Sequence, residues 1–369
     1  MNRIYLDHAA TTPLLPTAAK AMEPWLVGRF GNASSLHFEG QQAKLALDNA
    51  REILANAFGC LFGEITFTSS GTEAANHAIF GAALANESER RRIVVSAIEH
   101  HCVLACQPLL ERLGFEVAFA PVTRQGEVLL DDCIDEQTLL VCLMHANNEL
   151  GTIQPVADAR RLTSEVGSLL FVDAVQTFGN LPLPDADIVS CSSHKIGGPQ
   201  GVGALFVRAG TAVSPLIVGG GQEREMRAGT ENVAAIVGFG AAVNSQPPDN
   251  RSEARQAFLD AIGEDGGMIR SVTSAHTLDG HLHFRTPGID AEAMLIKLDR
   301  LGVSASSGAA CSAGSLEPSH VLLACGYSEV EAREGLRFSF GKQTTNQQAT
   351  EAAARVKQAL LEIQSSRKR

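Results

Sequence analysis

The chain has 369 residues, with 30 Lys and Arg against 41 Asp and Glu, for a formal net charge of −11. That length allows one large domain, a smaller one and an ample core, and the acidic balance lacks the positive field that draws phosphate backbones, so no nucleic-acid partner is expected. Met1 to Thr12 carries Arg3, Asp7 and His8 with no apolar run, unlike a secretory leader, and no stretch reaches the roughly 18 uncharged apolar residues of a membrane span. A soluble cytoplasmic protein with no membrane contact is expected. The eight cysteines stand in settings such as Val141-Cys142-Leu143, which read mostly as reduced, buried thiols. Arg367-Lys368-Arg369 reads as a solvated terminus.

From about residue 50 to 207, apolar runs alternate with helix-like segments. The runs are Ile65 to Phe67, Ile93 to Ser96, Glu116 to Ala120, Leu139 to Met144, Leu169 to Val172, Ile188 to Cys191 and Gly203 to Val207. Short Val/Leu/Ile-rich runs without strict alternation suit strands buried on both faces. Their alternation with helices predicts an α/β large domain with a mostly parallel seven-stranded sheet flanked by helices. The polar stretch Gln246-Pro247-Pro248-Asp249-Asn250 marks a boundary. It divides a large domain, 14–246, from a smaller α+β domain made of 1–13 and 247–369. In the latter, His281 to Phe284 and Ala291 to Leu301 form the next elements, and Thr350 to Gln364 has helical spacing at Ala354, Val356, Leu360, Leu361 and Ile363.

Ligands of parallel sheets gather beyond the strand ends, where Ser70-Gly71-Thr72-Glu73, His100, His145, Asp173 and His194 fall in this reading. Thr68 to Ala74 follows a strand and precedes a helical run, so its first amides and the Thr72 hydroxyl can cradle a phosphate; a plain Ser or Thr N-cap is the competing reading. Lys195, in Cys191-Ser192-Ser193-His194-Lys195-Ile196-Gly197-Gly198-Pro199, is a lysine in a small-residue, hydroxyl-rich turn. Such a setting suits a Schiff base to pyridoxal 5'-phosphate (PLP), with Ser192 and His194 able to bond its phosphate. An ordinary exposed lysine is the alternative, and Asp173 and Gln176 upstream weigh against it. A carboxylate keeps the cofactor's pyridine nitrogen protonated, and an amide can bond its ring oxygen.

The imidazole of His100 can stack over a pyridine ring and move protons, whereas nearby Cys102 and Cys106 lack the Cys-x-x-Cys pairing of a zinc site. His8, His37 and His145 stay open between capping, loop bonding and site roles. Cys311 sits in the small-residue stretch 305–318, which is expected to be mobile and to present its thiol to solvent, or else to be a flexible loop with an incidental cysteine. Arg337 stands on a strand-like alternation, where its planar fork can hold a substrate carboxylate or serve as an edge-strand surface charge.

Taken together, these residues resemble the cysteine desulfurases of the fold-type I PLP enzymes, in the branch of the nitrogen-fixation and housekeeping iron-sulfur enzymes. The similarity runs through Tyr5 to Thr12, Gly31 to His37, Thr72 to Asn76, His145 to Glu149, Ser193-His194-Lys195, Arg227 to Asn232, Ser307 to Val321 and Arg337-Phe338-Ser339. The resemblance implies that Lys195 carries the cofactor, Asp173 pairs with the pyridinium, Gln176 bonds the ring oxygen, and His100 stacks on the ring and shuttles protons. It also implies that Gly71, Thr72, Ser192 and His194 bind the phosphate and that Thr230 reaches the phosphate site of a neighbouring subunit in a homodimer. Asn148 and Arg337 would hold the carboxylate of an L-cysteine substrate, and Cys311 would take its sulfur as a persulfide.

By the same resemblance, Ser307 to Val321 is the long-loop type that passes sulfur to an acceptor protein, as in iron-sulfur cluster assembly. The short stretch beyond the last helix points to an acceptor other than the scaffold that longer-tailed members dock. A selenocysteine lyase or another PLP-dependent C–S lyase is a rival on the same scaffold. A sulfur-relay platform with little turnover is a rival from a different class.

Overall fold

The computed structural model describes residues 2–263, 267–273, 276–308 and 317–367. The chain opens with β1 (Ile4–Tyr5), α1 (Pro16–Leu26) and α2 (Phe38–Phe58), followed by β2 (Ile65–Thr68), α3 (Gly71–Leu84) and β3 (Arg92–Ser96). It continues through α4 (His101–Leu104), α5 (Gln107–Arg112), β4 (Glu116–Ala120), β5 (Thr138–Met144), α6 (Val156–Val166), β6 (Leu169–Asp173), β7 (Ile188–Ser192) and β8 (Gly203–Val207). The remainder is α7 (Val233–Asn244), α8 (Arg251–Ile262), β9 (Ile269–Arg270), β10 (His281–Arg285), α9 (Ala291–Arg300), β11 (Val303–Ser304), α10 (His320–Ala324), α11 (Glu329–Ala332), β12 (Gly335–Ser339) and α12 (Asn346–Arg367).

All seven expected apolar runs are strands of one sheet, in the order β2-β8-β7-β6-β5-β3-β4. Only β8 runs against the others. Each central strand sends alternate residues to opposite faces. Ile93, Leu140, Cys142 and Phe171 pack with Ala74, Ala78 and Ile79 of α3, while Val94, Val141, Leu170 and Val172 share the other core with Leu47 and Leu54 of α2 and Phe239 of α7. Burial on both faces is why these runs read as continuous apolar stretches.

A further core gathers Ile4 and Leu6 with Phe258, Leu282, Met294, Phe338, Val356 and Leu360 around the small sheet β12-β10-β9. Val272, Val321, Leu322 and Tyr327 also come after residue 247, yet they join the core of the large sheet. The cysteines divide. Among the described cysteines, Cys106, Cys142, Cys191 and Cys325 are buried, as expected of most, while Cys60, Cys102 and Cys133 are half-buried and pack against the cores. Among the described residues, no helix is long and apolar enough to cross a membrane.

Candidate active site

Pairing registers bring the strand ends to one edge of the large sheet: Thr68 of β2 lies opposite Gly203, Gly203 opposite Ser192 of β7, and Ser190 opposite Asp173 of β6. Ser70, just past β2, caps α3 by accepting the Glu73 amide at 3.1 Å. The first amides of α3, Gly71 and Thr72, have no acceptor within the helix and carry the positive end of its dipole. A Cβ on Gly71 would lie 2.7 Å from Val175 Cγ2, so only glycine lets this turn approach the segment after β6.

A cavity of about 490 Å³ opens on this edge, within the usual range for small-molecule sites. Gly71, Thr72, His100, Asp173 and Gln176 line it. So do Ser192, His194, Lys195, Asn148 and Arg337. Residues from five strand ends and the small sheet therefore meet in one place.

The Lys195 amine donates to the carbonyls of Ala9 and, at 2.8 Å, Ala10. Gln176 Nε2 also donates to the Ala9 carbonyl, at 3.1 Å. The same N-terminal segment is sewn to the lysine turn by Thr12, whose amide and hydroxyl donate to the His194 carbonyl at 3.0 and 2.6 Å, and by the Gly197 amide, which donates to the Thr12 hydroxyl at 2.7 Å. Thr11 Oγ1 lies 3.0 Å from His194 Nδ1.

Asp173 Oδ1 accepts from the Val175 amide at 2.9 Å and the Ser190 hydroxyl at 3.1 Å. Burial raises the pKa of this carboxyl, while those two bonds and the charge of Lys195 pull it down. A cation beside it would complete the stabilisation of its ionised form. His100 caps α4, accepting the Cys102 amide on Nδ1 at 3.1 Å. Its pKa is pushed down to about 4 by burial first and then by Lys195, His101 and His320. A neutral His100 that accepts on Nδ1 carries its proton on Nε2.

Arg337 is only 2 % exposed, which excludes the edge-strand surface charge. Its Nη2 meets Asp7 Oδ1 at 2.7 Å, its Nη1 donates to the Asn148 carbonyl at 2.8 Å, and its buried Nε has no hydrogen-bond partner among the described residues. The 147–149 turn that presents Asn148 is itself held by Asn147, whose Oδ1 accepts the Glu149 and Leu150 amides at 2.9 and 2.8 Å.

Two expected residues are not part of this assembly. Thr230 lines a separate hollow with Glu223 and Arg227, and Cys311 lies outside the described residues. The open histidines resolve differently. His37 caps α2 by accepting the Gly40 amide at 3.3 Å, and His145 Nδ1 lies 2.9 Å from the Thr177 hydroxyl. His8 lines a smaller cavity of about 130 Å³ that Lys195 and Gln176 also reach.

Sequence reasoning missed Asp7 as the partner of Arg337 and the role of the Ala9 and Ala10 carbonyls. It also missed the ties of the 217–232 segment. Arg51 grips Glu223 with two bonds of 2.7 Å, and Arg227 Nε meets Glu73 Oε1 at 2.8 Å at the start of α3. The runs Tyr5 to Thr12 and Arg227 to Asn232 carried the only signal, as parts of a resemblance that assigned no contact to Asp7, Ala9, Ala10 or Arg227.

The donor set suits PLP. Free helix-start amides with Ser192 and His194 match a phosphate, a buried carboxylate matches a protonated ring nitrogen, and a lysine amine and a flat neutral imidazole share the same cavity.

The class-V aminotransferase model matches residues 4–351. The cysteine desulfurase IscS of Dictyoglomus turgidum is 41% identical over 360 residues, covering 94% of this chain and 91% of that protein. A putative cysteine desulfurase, IscS 1 of Bacillus subtilis, is 41% identical over 371 residues, covering 96% and 98%. Among solved structures, a NifS-like protein superposes with a TM-score of 0.90 at 32% identity over 98% of this chain and all of that one (100%). SspA in complex with cysteine gives 0.84 at 34% identity over 93% and 100%. With the site's residues gathered at the sheet edge and this likeness spanning nearly its whole length, the chain belongs to the class-V aminotransferase family, among its cysteine desulfurases.

Proposed function

We propose that the chain is a PLP-dependent cysteine desulfurase that converts L-cysteine to L-alanine and keeps the sulfur as a persulfide on Cys311. The observation that carries this reading is the single cavity shared by Lys195, Asp173, His100, the start of α3 and Arg337.

Gly71, Thr72, Ser192 and His194 would hold the cofactor phosphate, Asp173 its ring nitrogen and Gln176 its ring oxygen, with Lys195 as the covalent anchor. When bound, the cofactor supplies an electron-poor ring that stabilises negative charge at the substrate Cα. Arg337 holds the substrate carboxylate beside Asn148. The Lys195 amine would take the Cα proton, and His100 Nε2–H would move a proton between substrate and cavity. The Cys311 thiolate attacks the substrate Sγ. The new S–S bond would form as the Cβ–Sγ bond breaks, its electrons staying on Cβ, which takes up a proton, while Lys195 returns a proton to Cα. Cysteine and the enzyme thiol thus become alanine and an enzyme persulfide, with no external oxidant or reductant.

A thiol near its free pKa of about 8.5 is mostly protonated at neutral pH, so loss of the Cys311 proton to a neighbouring base is part of the step. Sulfur then passes to an acceptor protein, such as one of iron-sulfur cluster assembly. Thr230, away from its own cavity, would serve the phosphate site of the second subunit of a homodimer. The free thiols of the seven described cysteines support a reducing, cytoplasmic setting. Residues 1–13 and 247–369 form the smaller domain in this reading, with most of their apolar side chains in one core.

The test is Cys311→Ala. The variant should keep the cofactor colour and lose persulfide formation and sulfur release from cysteine; undiminished release would sink the reading.

A further inference from the structure

We infer that Glu149 is a positioning residue for sulfur transfer: its buried carboxylate joins the two stems, Gly308 and Ser319, between which Cys311 lies in sequence. The inference rests on the desulfurase reading.

Glu149 is 1 % exposed, and a carboxylate that deep needs partners. One is the Ser319 hydroxyl, which donates to Oε2 at 2.5 Å. Ser319 in turn caps α10, accepting the Leu322 amide at 3.1 Å. On the other stem, Gly308 has φ +91° and passes so close that a Cβ there would lie 2.7 Å from Glu149 Oε2 and 2.9 Å from Cδ. A side chain is excluded at Gly308 both by backbone conformation and by the carboxylate it covers. Two stems eleven residues apart in number thus converge on one oxygen.

The turn bearing Glu149 also holds the candidate carboxylate ligand. Asn148 accepts Arg337 Nη1 through its backbone carbonyl. The first stem is paired to the same arginine, with Ser306 and Arg337 exchanging backbone bonds of 3.1 and 2.6 Å. Gly308 is held to that stem by its amide, which donates a hydrogen bond to Ser306 Oγ at 3.1 Å. The 147–149 turn therefore meets Arg337 through the Asn148 carbonyl, and both stems, Gly308 and Ser319, through the Glu149 carboxylate. Because the Arg337 contact is made by a backbone carbonyl, changing the Glu149 side chain separates thiol positioning from substrate grip.

The experiment compares Glu149→Ala, Glu149→Gln and Ser319→Ala with the wild type. Glu149→Ala and Ser319→Ala should each lower kcat for alanine formation by tenfold or more, with the KM for cysteine within twofold. Glu149→Gln, which keeps an acceptor of the same size, should recover most of the rate. Independently of turnover, hydrogen exchange on Glu149→Ala should quicken in both stem peptides, 303–308 and 319–323, and return toward the wild type in Glu149→Gln. A kcat within twofold of the wild type, a KM that rises in step with the loss, or exchange altered in one stem only would overturn the inference. If the wild type makes no alanine from cysteine, the desulfurase reading falls, and the two-stem exchange result still decides whether Glu149 joins the stems.

Discussion

Arg337 and Asp7, separated by 330 positions in the chain, meet at 2.7 Å inside the protein, where the arginine side chain is 2 % and the aspartate 19 % exposed. Their pairing means that the candidate carboxylate-binding guanidinium is aimed from both sides, by Asp7 at Nη2 and by the Asn148 carbonyl at Nη1. A fork fixed in this way recognises a carboxylate by geometry as well as by charge.

Arg337→Lys should therefore raise the KM for cysteine by about tenfold or more, the equivalent of one or two charge-assisted bonds, while cofactor binding persists. Steady-state kinetics beside a cofactor absorbance titration checks both halves. Asp7→Ala leaves the guanidinium short of its counter-charge and should destabilise the fold by about 3 kcal/mol, measured by urea unfolding.

Gly71→Ala tests the helix start as a phosphate cradle. The added methyl meets Val175 Cγ2 at 2.7 Å, and overpacking of this kind costs about 1–3 kcal/mol. Because the strain falls on the amides that would bind the phosphate, PLP affinity should drop by tenfold or more, read by equilibrium dialysis of the cofactor.

Acid should weaken the fold through its histidines. His281 and His283 are pushed down to about 3 by burial and then by Arg337. Burial pushes His8, His100, His145 and His194 down to about 4. In the unfolded chain each returns to about 6.5. Between roughly pH 6.5 and 4 the unfolded chain therefore binds protons that the folded chain refuses, so this stability is full above 6.5 and is lost as pH falls toward the folded values. Urea midpoints should fall between pH 7.5 and 5, and the fall should be shallower in the double variant His281→Asn, His283→Asn.

Arg51→Met should cost about 3–5 kcal/mol, since it strands the Glu223 carboxylate in the interior. Glu223 begins three consecutive residues with positive φ, 48°, 56° and 68° for Glu223, Arg224 and Glu225, so the grip of Arg51 also holds a strained path. Urea unfolding measures the loss. Replacing Glu223 by Gln in the same background should recover part of it.

The seven strands were legible in the sequence because double-sided burial leaves an unbroken run of Val, Leu and Ile at each one. Lys195, Asp173 and His100 were legible for a related reason. Strand ends were visible, and polar residues just past them had one edge to occupy. The contacts of Asp7 with Arg337 and of Arg51 with Glu223 were not legible, because each joins residues far apart in sequence and neither member departs from its local pattern. The left-handed run at Glu223 was hidden too, since none of its residues is the glycine that usually announces such a backbone. Nor could periodicity show that Val321, Leu322 and Tyr327 abandon the small-sheet core for the larger one.

The Ala9 and Ala10 carbonyls that receive the Lys195 amine belong to a tether anchored at its other end in the second core, through Ile4 and Leu6. The position of Nζ is therefore tied to the second core as well as to its own turn. Removing residues 2–12 would spare every strand of the large sheet and still leave the lysine without the cleat to which it is tied.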